Sequence, residues 1–245
     1  MAKTLIVGAT SAIAIETAKL CAHRGDHLFL VGRSPEKLDS VRRDLEVRGA
    51  KIAGTLSTDL NDFSYHAGLL EKALNCLQGL DLVLIAHGTL GDQKACEQDF
   101  SLAEQEIRTN FLSCASLLTL ISNEMEKGKA GTIAVISSVA GDRGRQSNYI
   151  YGSAKGALNL FLQGLRNRMY PSGVRVLTIK PGFVDTPMTA AFKKNILFAK
   201  PDQIARGILK AIERKKDVVY LPFFWWGIMA IIKSIPERIF KKLKL

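Results

Sequence analysis

Short runs of β-branched residues and leucine alternate along the chain with longer stretches in which apolar residues recur every three or four positions. The short runs predict strands at Thr4–Val7, His27–Val31, Lys51–Leu56, Leu82–Ala86, Thr132–Ser137, Val174–Ile179 and Val218–Leu221. The intervals predict helices at Ala12–Arg24, Pro35–Arg48, Phe63–Leu77, Leu102–Glu126, Tyr149–Tyr170 and Pro201–Arg214, with Pro35 and Pro201 suited to first-turn positions. Near-continuous apolar strands separated by helices predict an α/β fold, a doubly wound parallel sheet covered on both faces. No repeat, linker or low-complexity tract divides the chain. The expectation is a single domain over residues 1–220, followed by an aromatic and basic C-terminal segment over 221–245.

With 47% hydrophobic and 23% charged residues, the 245-residue chain has the proportions of a folded protein. Its 34 Lys+Arg against 23 Asp+Glu leave a formal charge of +11, which points to cofactor phosphates, nucleic acid or an anionic membrane. From Lys200 onward, eleven basic residues stand against four acidic ones, so the surplus is local to the C-terminal end. A diffuse nucleic-acid-binding face is therefore not expected. Cys21, Cys76, Cys96 and Cys114 are widely spread and form no metal or redox spacing, which leaves no metal site and fits a reducing compartment. The chain enters Leu5-Ile6-Val7 with neither a basic leader nor a long apolar run, so no signal peptide is expected and the location reads as cytoplasmic. The longest uncharged apolar stretch, Leu221–Ile232, falls short of the ~18–20 residues that span a bilayer.

Three positions suit a dinucleotide. Gly8-Ala9-Thr10-Ser11-Ala12-Ile13-Ala14 joins the first strand to the first helix, where a pyrophosphate would meet free amides and the positive end of the helix dipole. Gly8, Thr10, Ser11, Ala12 and Ile13 are the candidate contacts; a plain strand-to-helix turn accounts for the same residues. After the second strand comes Gly32-Arg33-Ser34. An acid there would accept from a ribose 2′-OH, whereas the Arg33 guanidinium suits a 2′-phosphate, which favours NADP(H) over a solvated side chain. Asp59 follows the third strand and is either an acceptor for an adenine amino group or a helix cap.

The chemistry concentrates at Ser137-Ser138 and at Tyr151-Gly152-Ser153-Ala154-Lys155. Residues four apart share a helix face, so Tyr151 and Lys155 point into one site. A cation beside a phenol favours phenolate and fits the phenol for proton exchange with a carbonyl or alcohol. A serine hydroxyl at a neighbouring strand end can hold the developing oxyanion.

In this order the pieces resemble the short-chain dehydrogenase/reductase family over essentially the whole length: the Gly8 loop, Asn110, Ser138, Tyr151, Lys155, and Pro181-Gly182 with Thr186. The resemblance implies a Rossmann fold and a nicotinamide cofactor. Tyr151 is then the acid/base, Lys155 the holder of the nicotinamide ribose, Ser138 the group that polarises the carbonyl, and Asn110 the anchor of a relay water. The segment from Pro181 and Gly182 through Val184 to Thr186 is implied to contact the nicotinamide. Two departures stand out. Ala12 and Ala14 replace glycines of the loop, and Ile85-Ala86-His87-Gly88 replaces the usual Asn-Asn-Ala-Gly, with His87 expected to pack at the strand end.

A narrower resemblance, to the decaprenylphosphoryl-2-keto-erythro-pentose reductases, rests on Ala86–Asp92, on Ser137–Arg143 leading into Tyr149–Ser153, and on the ending Ile235–Leu243. It implies reduction of a keto sugar carried on a polyprenyl phosphate. A soluble or acyl-carrier-linked ketone is the alternative substrate, and a non-catalytic nucleotide-binding scaffold the alternative class. Phe223, Phe224, Trp225 and Trp226, followed by Lys233, Arg238, Lys241, Lys242 and Lys244, suit peripheral association with a membrane interface; packing on the fold or on a partner subunit is the other reading. A homo-oligomer at the inner face of the membrane completes the expectation.

Overall fold

The computed structural model describes residues 1–243; Lys244, counted above among the tail's cations, lies outside them. Seven parallel strands form one sheet in the order β3-β2-β1-β4-β5-β6-β7. They are β1 (Lys3–Val7), β2 (His27–Gly32), β3 (Lys51–Ser57), β4 (Leu82–Ile85), β5 (Thr132–Ile136), β6 (Arg175–Pro181) and β7 (Val218–Leu221). Side chains alternate between the faces: Leu5 and Val7 join one apolar cluster with Phe29, Leu117 and Leu158, while Ile6 joins the other with Leu28, Ile204 and Ile208. The first layer of helices comprises α1 (Ala12–His23), α2 (Pro35–Val47) and α8 (Pro201–Glu213); the second comprises α3 (His66–Leu77), α6 (Ser113–Gly128) and α7 (Tyr149–Met169). The expected doubly wound sheet is present, with each predicted strand within two residues of its observed ends.

The single helix expected over Leu102–Glu126 is three pieces: α5 (Phe100–Ile107), a π turn at Arg108–Leu112, and α6. The π turn closes with Ser113 N donating to the Arg108 carbonyl, five residues back. It passes unnoticed in the sequence because buried Ala103, Glu106, Asn110, Cys114 and Leu117 keep the three-to-four spacing through it. The short polar helix α4 (Gln93–Gln98) has no apolar stripe to announce it; Asp92 caps it by accepting from Lys94 N at 2.8 Å and Ala95 N at 3.3 Å.

The C-terminal segment is partly built into the domain. It holds α9 (Phe224–Ser234) and α10 (Glu237–Phe240). Trp225 and Met229 are buried with Val139, whereas Phe223 is 82% and Trp226 67% exposed. The Trp225 indole lies on the backbone of Gly182, so closely that a Cβ at that glycine would come within 1.9 Å of it. Phe183 meets the Trp225 ring edge-on at 5.3 Å and stacks on Phe198 at 5.2 Å.

Arg143 fastens the far end. Its guanidinium donates to the carbonyls of Ile232, Lys233 and Ile235 at 3.0, 3.1 and 2.6 Å, pairs with Glu237 at 2.9 Å, and covers the Phe240 ring at 3.8 Å from its centroid. One side chain thus satisfies the orphan carbonyls that end α9 and seats α10. Charged hydrogen bonds of this kind contribute about 1.5–3 kcal/mol. Arg143→Ala is expected to lower unfolding free energy by about 2 kcal/mol in urea titrations. Arg143→Lys should recover little of it, because an ammonium cannot reach three carbonyls and spread over a ring.

Candidate active site

The site lies at the carboxyl ends of the strands, where the order reverses between β1 and β4. Gly8 ends β1 with φ +81°, and a Cβ there would fall 2.5 Å from His87 N. The turn and the end of β4 therefore touch through bare backbone, which only glycine permits. Ser11 caps α1, its Oγ accepting from Ala14 N at 3.4 Å. The amides of Ala12 and Ile13, the first two helical residues, have no intrahelical carbonyl, and no acid stands in the first turn. Thr10 sits against Gly32, which brings the exposed Arg33 beside this turn. Asp59 is exposed and accepts from Asn61 N at 3.0 Å. The cap alternative considered for it falls to Asp62, which accepts from Ser64 N at 3.1 Å at the start of a 3-10 turn.

Tyr151 and Lys155 lie one turn apart on α7. The Lys155 ammonium is 5.8 Å from the centroid of the half-buried Tyr151 ring and donates to the Ile136 carbonyl at 3.3 Å. Ser138 opens a 3-10 turn over Val139–Asp142, with its Oγ accepting from Ala140 N at 3.0 Å. That turn is pressed onto α7: a Cβ on Gly141 would lie 2.5 Å from the Lys155 carbonyl carbon, and one on Gly152 3.0 Å from the Ala140 oxygen. Ser137 adds a bond to Asn159 Oδ1 at 2.7 Å. Ser138, Tyr151 and Lys155 are thereby locked into one unit.

Asn110 enters from the π turn, fully buried. Its Nδ2 donates to Thr89 Oγ1 at 3.2 Å and to Glu106 Oε2 at 3.1 Å, and its Oδ1 accepts from Thr89 N at 3.2 Å. A Cβ on Gly88 would sit 2.7 Å from Asn110 Oδ1 and 3.4 Å from Lys155 Nζ, so these two side chains converge on the backbone after β4. Pro181 ends β6, and Gly182 N donates to the Leu221 carbonyl at 3.0 Å beneath Trp225. Val184 is buried and pairs with Ala199, and Thr186 N donates to Thr189 Oγ1 at 3.2 Å.

Sequence reasoning missed the groups that brace this site. Asp142 is nearly enclosed: it takes Lys180 Nζ at 2.6 Å and Asn159 Nδ2 at 3.4 Å on Oδ1, and the Tyr220 hydroxyl at 2.6 Å on Oδ2. Burial, with help from this carboxylate, pushes the Tyr220 hydroxyl above its ordinary range. Glu106 holds Thr89 Oγ1 at 2.6 Å along with Asn110. No spacing signal marks Asp142, because its partners come from elements far apart in the chain, and Glu106 is engaged partly through Thr89, seventeen residues back.

His87 packs at the end of β4, as expected. Ser113 spends its hydroxyl hydrogen on the Leu60 carbonyl at 2.7 Å, so the 3.0 Å contact from His87 Nε2 to Ser113 Oγ is donated by the imidazole. Nδ1 is buried without a partner. Desolvation, then the nearby Lys155 ammonium, holds His87 down at about 3, so it is neutral at working pH.

Comparison with known proteins places these features in context. A family model described as short chain dehydrogenase matches residues 2–196. An uncharacterised oxidoreductase of Mycobacterium tuberculosis H37Rv is 31% identical over 242 residues, covering 99% of this chain and 97% of the relative. An uncharacterised oxidoreductase of Streptomyces coelicolor is 32% identical over 240 residues, with 98% and 94% covered. Among solved structures, a short chain dehydrogenase from Burkholderia cenocepacia in complex with NADP has a TM-score of 0.84 at 19% identity, covering 99% of this chain and 97% of its own. An actinorhodin polyketide ketoreductase variant with NADPH has a TM-score of 0.81 at 19% identity, covering 90% and 96%.

The histidine gives a pH prediction. Its unfolded value is the ordinary 6.5 and its folded value about 3, so between these the unfolded chain binds the extra proton. Stability is full above pH 6.5 and falls as the pH drops toward 3, by up to about 1.4 kcal/mol per unit from this group. His66, also held down by burial, acts with the same sign. Urea unfolding between pH 7 and 4 should show a shallower acid decline for His87→Asn than for the parent.

Proposed function

Since this chain belongs to the short chain dehydrogenase family and is an NAD(P)-dependent oxidoreductase, we propose that it reduces a ketone to an alcohol with NADPH, and that the ketone is a keto sugar carried on a polyprenyl phosphate. The observation that carries the reductase reading is the unit formed by Ser138, Tyr151 and Lys155, pressed together through Gly141 and Gly152.

The residues present fit the cofactor. Ala12 and Ile13 offer unpaired first-turn amides to a pyrophosphate, with Gly8, Thr10 and Ser11 shaping the turn. Arg33 is the cation for a 2′-phosphate, and Asp59 keeps carboxylate oxygens available beyond its bond to Asn61. Pro181, Gly182, Val184 and Thr186 form the wall for the nicotinamide. When bound, NADPH supplies the hydride.

The protein's own part is proton transfer and charge stabilisation. The Tyr151 hydroxyl gives its proton to the substrate oxygen as the C–O⁻ character develops. Ser138 Oγ already accepts from Ala140 N, so its hydrogen is free to donate to the same oxygen. Lys155 spends one N–H on Ile136 and keeps two for ribose hydroxyls, and its charge favours phenolate. Asn110, with its amide committed to Thr89 and Glu106, holds the Gly88–Thr89 backbone beside Lys155. Tyr151→Phe is expected to lower kcat for NADPH-dependent ketone reduction about 10²–10⁴-fold, while NADPH still binds, read by nicotinamide fluorescence.

The lipid-linked part of the reading draws on the C-terminal segment. Phe223, which precedes α9, and Trp226 and Ala230 on it follow one exposed stripe, with Lys233 in the last turn and Arg238, Lys241 and Lys242 beyond. Beside this stripe an open depression of about 420 Å³ is lined by Ile196, Phe198, Ala199, Gln203, Pro222 and Phe224. No helix among the described residues is long and apolar enough to cross a membrane. Interfacial docking needs none. The protein should co-sediment with vesicles containing phosphatidylglycerol at low salt and not with pure phosphatidylcholine, and Phe223→Ala with Trp226→Ala should weaken that binding.

A further inference from the structure

We propose that the loop between Ser138 and Tyr151 carries a subsite for an anionic group of the substrate, a phosphate or a carboxylate, seated on the Arg145 guanidinium, with the Asn148 side-chain oxygen taking an adjacent hydroxyl. The inference rests on the reductase reading and adds to it the residues that select the substrate's charge.

Arg145 is half-buried, and its Nε is shut away from water without a hydrogen-bond partner. No ion pair reaches its guanidinium among the described residues. The acid that acts on it is Asp142, and both oxygens of that carboxylate are taken, by Lys180 and Asn159 on one and Tyr220 on the other. A buried guanidinium N–H without an acceptor forfeits hydration and gains nothing in return, and here that N–H is the one on Nε. Its neighbours show what the chain does when an arginine is structural: Arg143 has four acceptors, and Arg166 bonds Val176, Thr178 and Asp217. Arg145 stands apart from both.

A second orphan lies three residues on. Asn148 Oδ1 is also buried and unpartnered. The two belong to one turn, closed by Asn148 N donating to the Arg145 carbonyl at 3.1 Å, and Gly152 N anchors that turn to α7 through the Asn148 carbonyl at 2.8 Å. Ile150 N donates to Gln93 Oε1 at 3.1 Å, which draws the start of α7 against the segment that follows Gly88. The turn is thus fixed between the two catalytic side chains at the carboxyl end of the sheet, and offers one planar set of donors and one acceptor with no protein group to satisfy them. A bidentate oxyanion fits the first, and a hydroxyl the second.

The test titrates inorganic phosphate, and separately acetate, into protein saturated with NADPH, followed by calorimetry. Saturation itself, seen in nicotinamide fluorescence, is the independent check on the reductase reading. At least one anion should bind the parent. Arg145→Gln should weaken that binding tenfold or more, while Lys127→Gln, a surface cation on α6, leaves it unchanged. A response to phosphate alone assigns the subsite to phosphorylated ketones, and a response to acetate alone to keto acids. Arg145→Met should melt at the same temperature as the parent or higher when no anion is added, because it removes a charge that lacks a partner. Failure of both anions to bind the parent, equal binding by Arg145→Gln, or a large loss of melting temperature in Arg145→Met would each overturn the subsite.

Discussion

The site depends on one close contact, the turn after Ser138 lying directly on helix α7. Side chains are absent where the two backbones meet, at Gly141 against Lys155 and at Gly152 against Ala140, so the strand that delivers Ser138 and the helix that delivers Tyr151 and Lys155 cannot move independently. The geometry that the proposed reduction needs tolerates displacements of well under an ångström before rate is lost. Packing backbone on backbone is the stiffest way to meet that demand, because no rotamer intervenes.

The same turn reaches outward. Asp142, its last residue, ties α7, β6 and β7 together through Asn159, Lys180 and Tyr220, and Arg143, the next one, holds the carbonyl end of α9. Trp225, from the start of α9, covers Gly182 on the opposite wall. The matched family model stops at residue 196, yet the chain beyond it is fastened to this region at both ends of one helix, by Trp225 on Gly182 and by Arg143 at the last carbonyls. Burial of Trp225 and Met229 supplies the apolar driving force, and Arg143 fixes the direction in which the helix lies.

Strands, helices and sheet class were legible because alternation and three-to-four spacing report burial directly. The shared face of Tyr151 and Lys155 was legible because residues four apart meet on a helix, whereas the choice of Ser138 came from the family resemblance. Glu106, Asp142, Arg143 and the orphaned Arg145 were not. Asp142 and Arg143 take their meaning from partners tens of residues away, such as Tyr220, 78 positions beyond Asp142, and residue type alone does not tell a braced charge from an idle one. The π turn stayed hidden because one extra residue barely disturbs the apolar stripe around Asn110.

Sequence by itself determined the parallel sheet, the turn at Gly8 and the Tyr151–Lys155 pair, since these follow from period, φ and i,i+4 geometry within short segments. Tertiary structure alone decided which half of the aromatic tail is core: Trp225 is buried on Gly182 while its neighbour Trp226 faces out, a division that a helix's 100° step creates only once a wall exists to pack against. It decided equally that Arg143 is saturated and Arg145 is not, because hydrogen-bond supply is a property of the assembled neighbourhood and not of the chain.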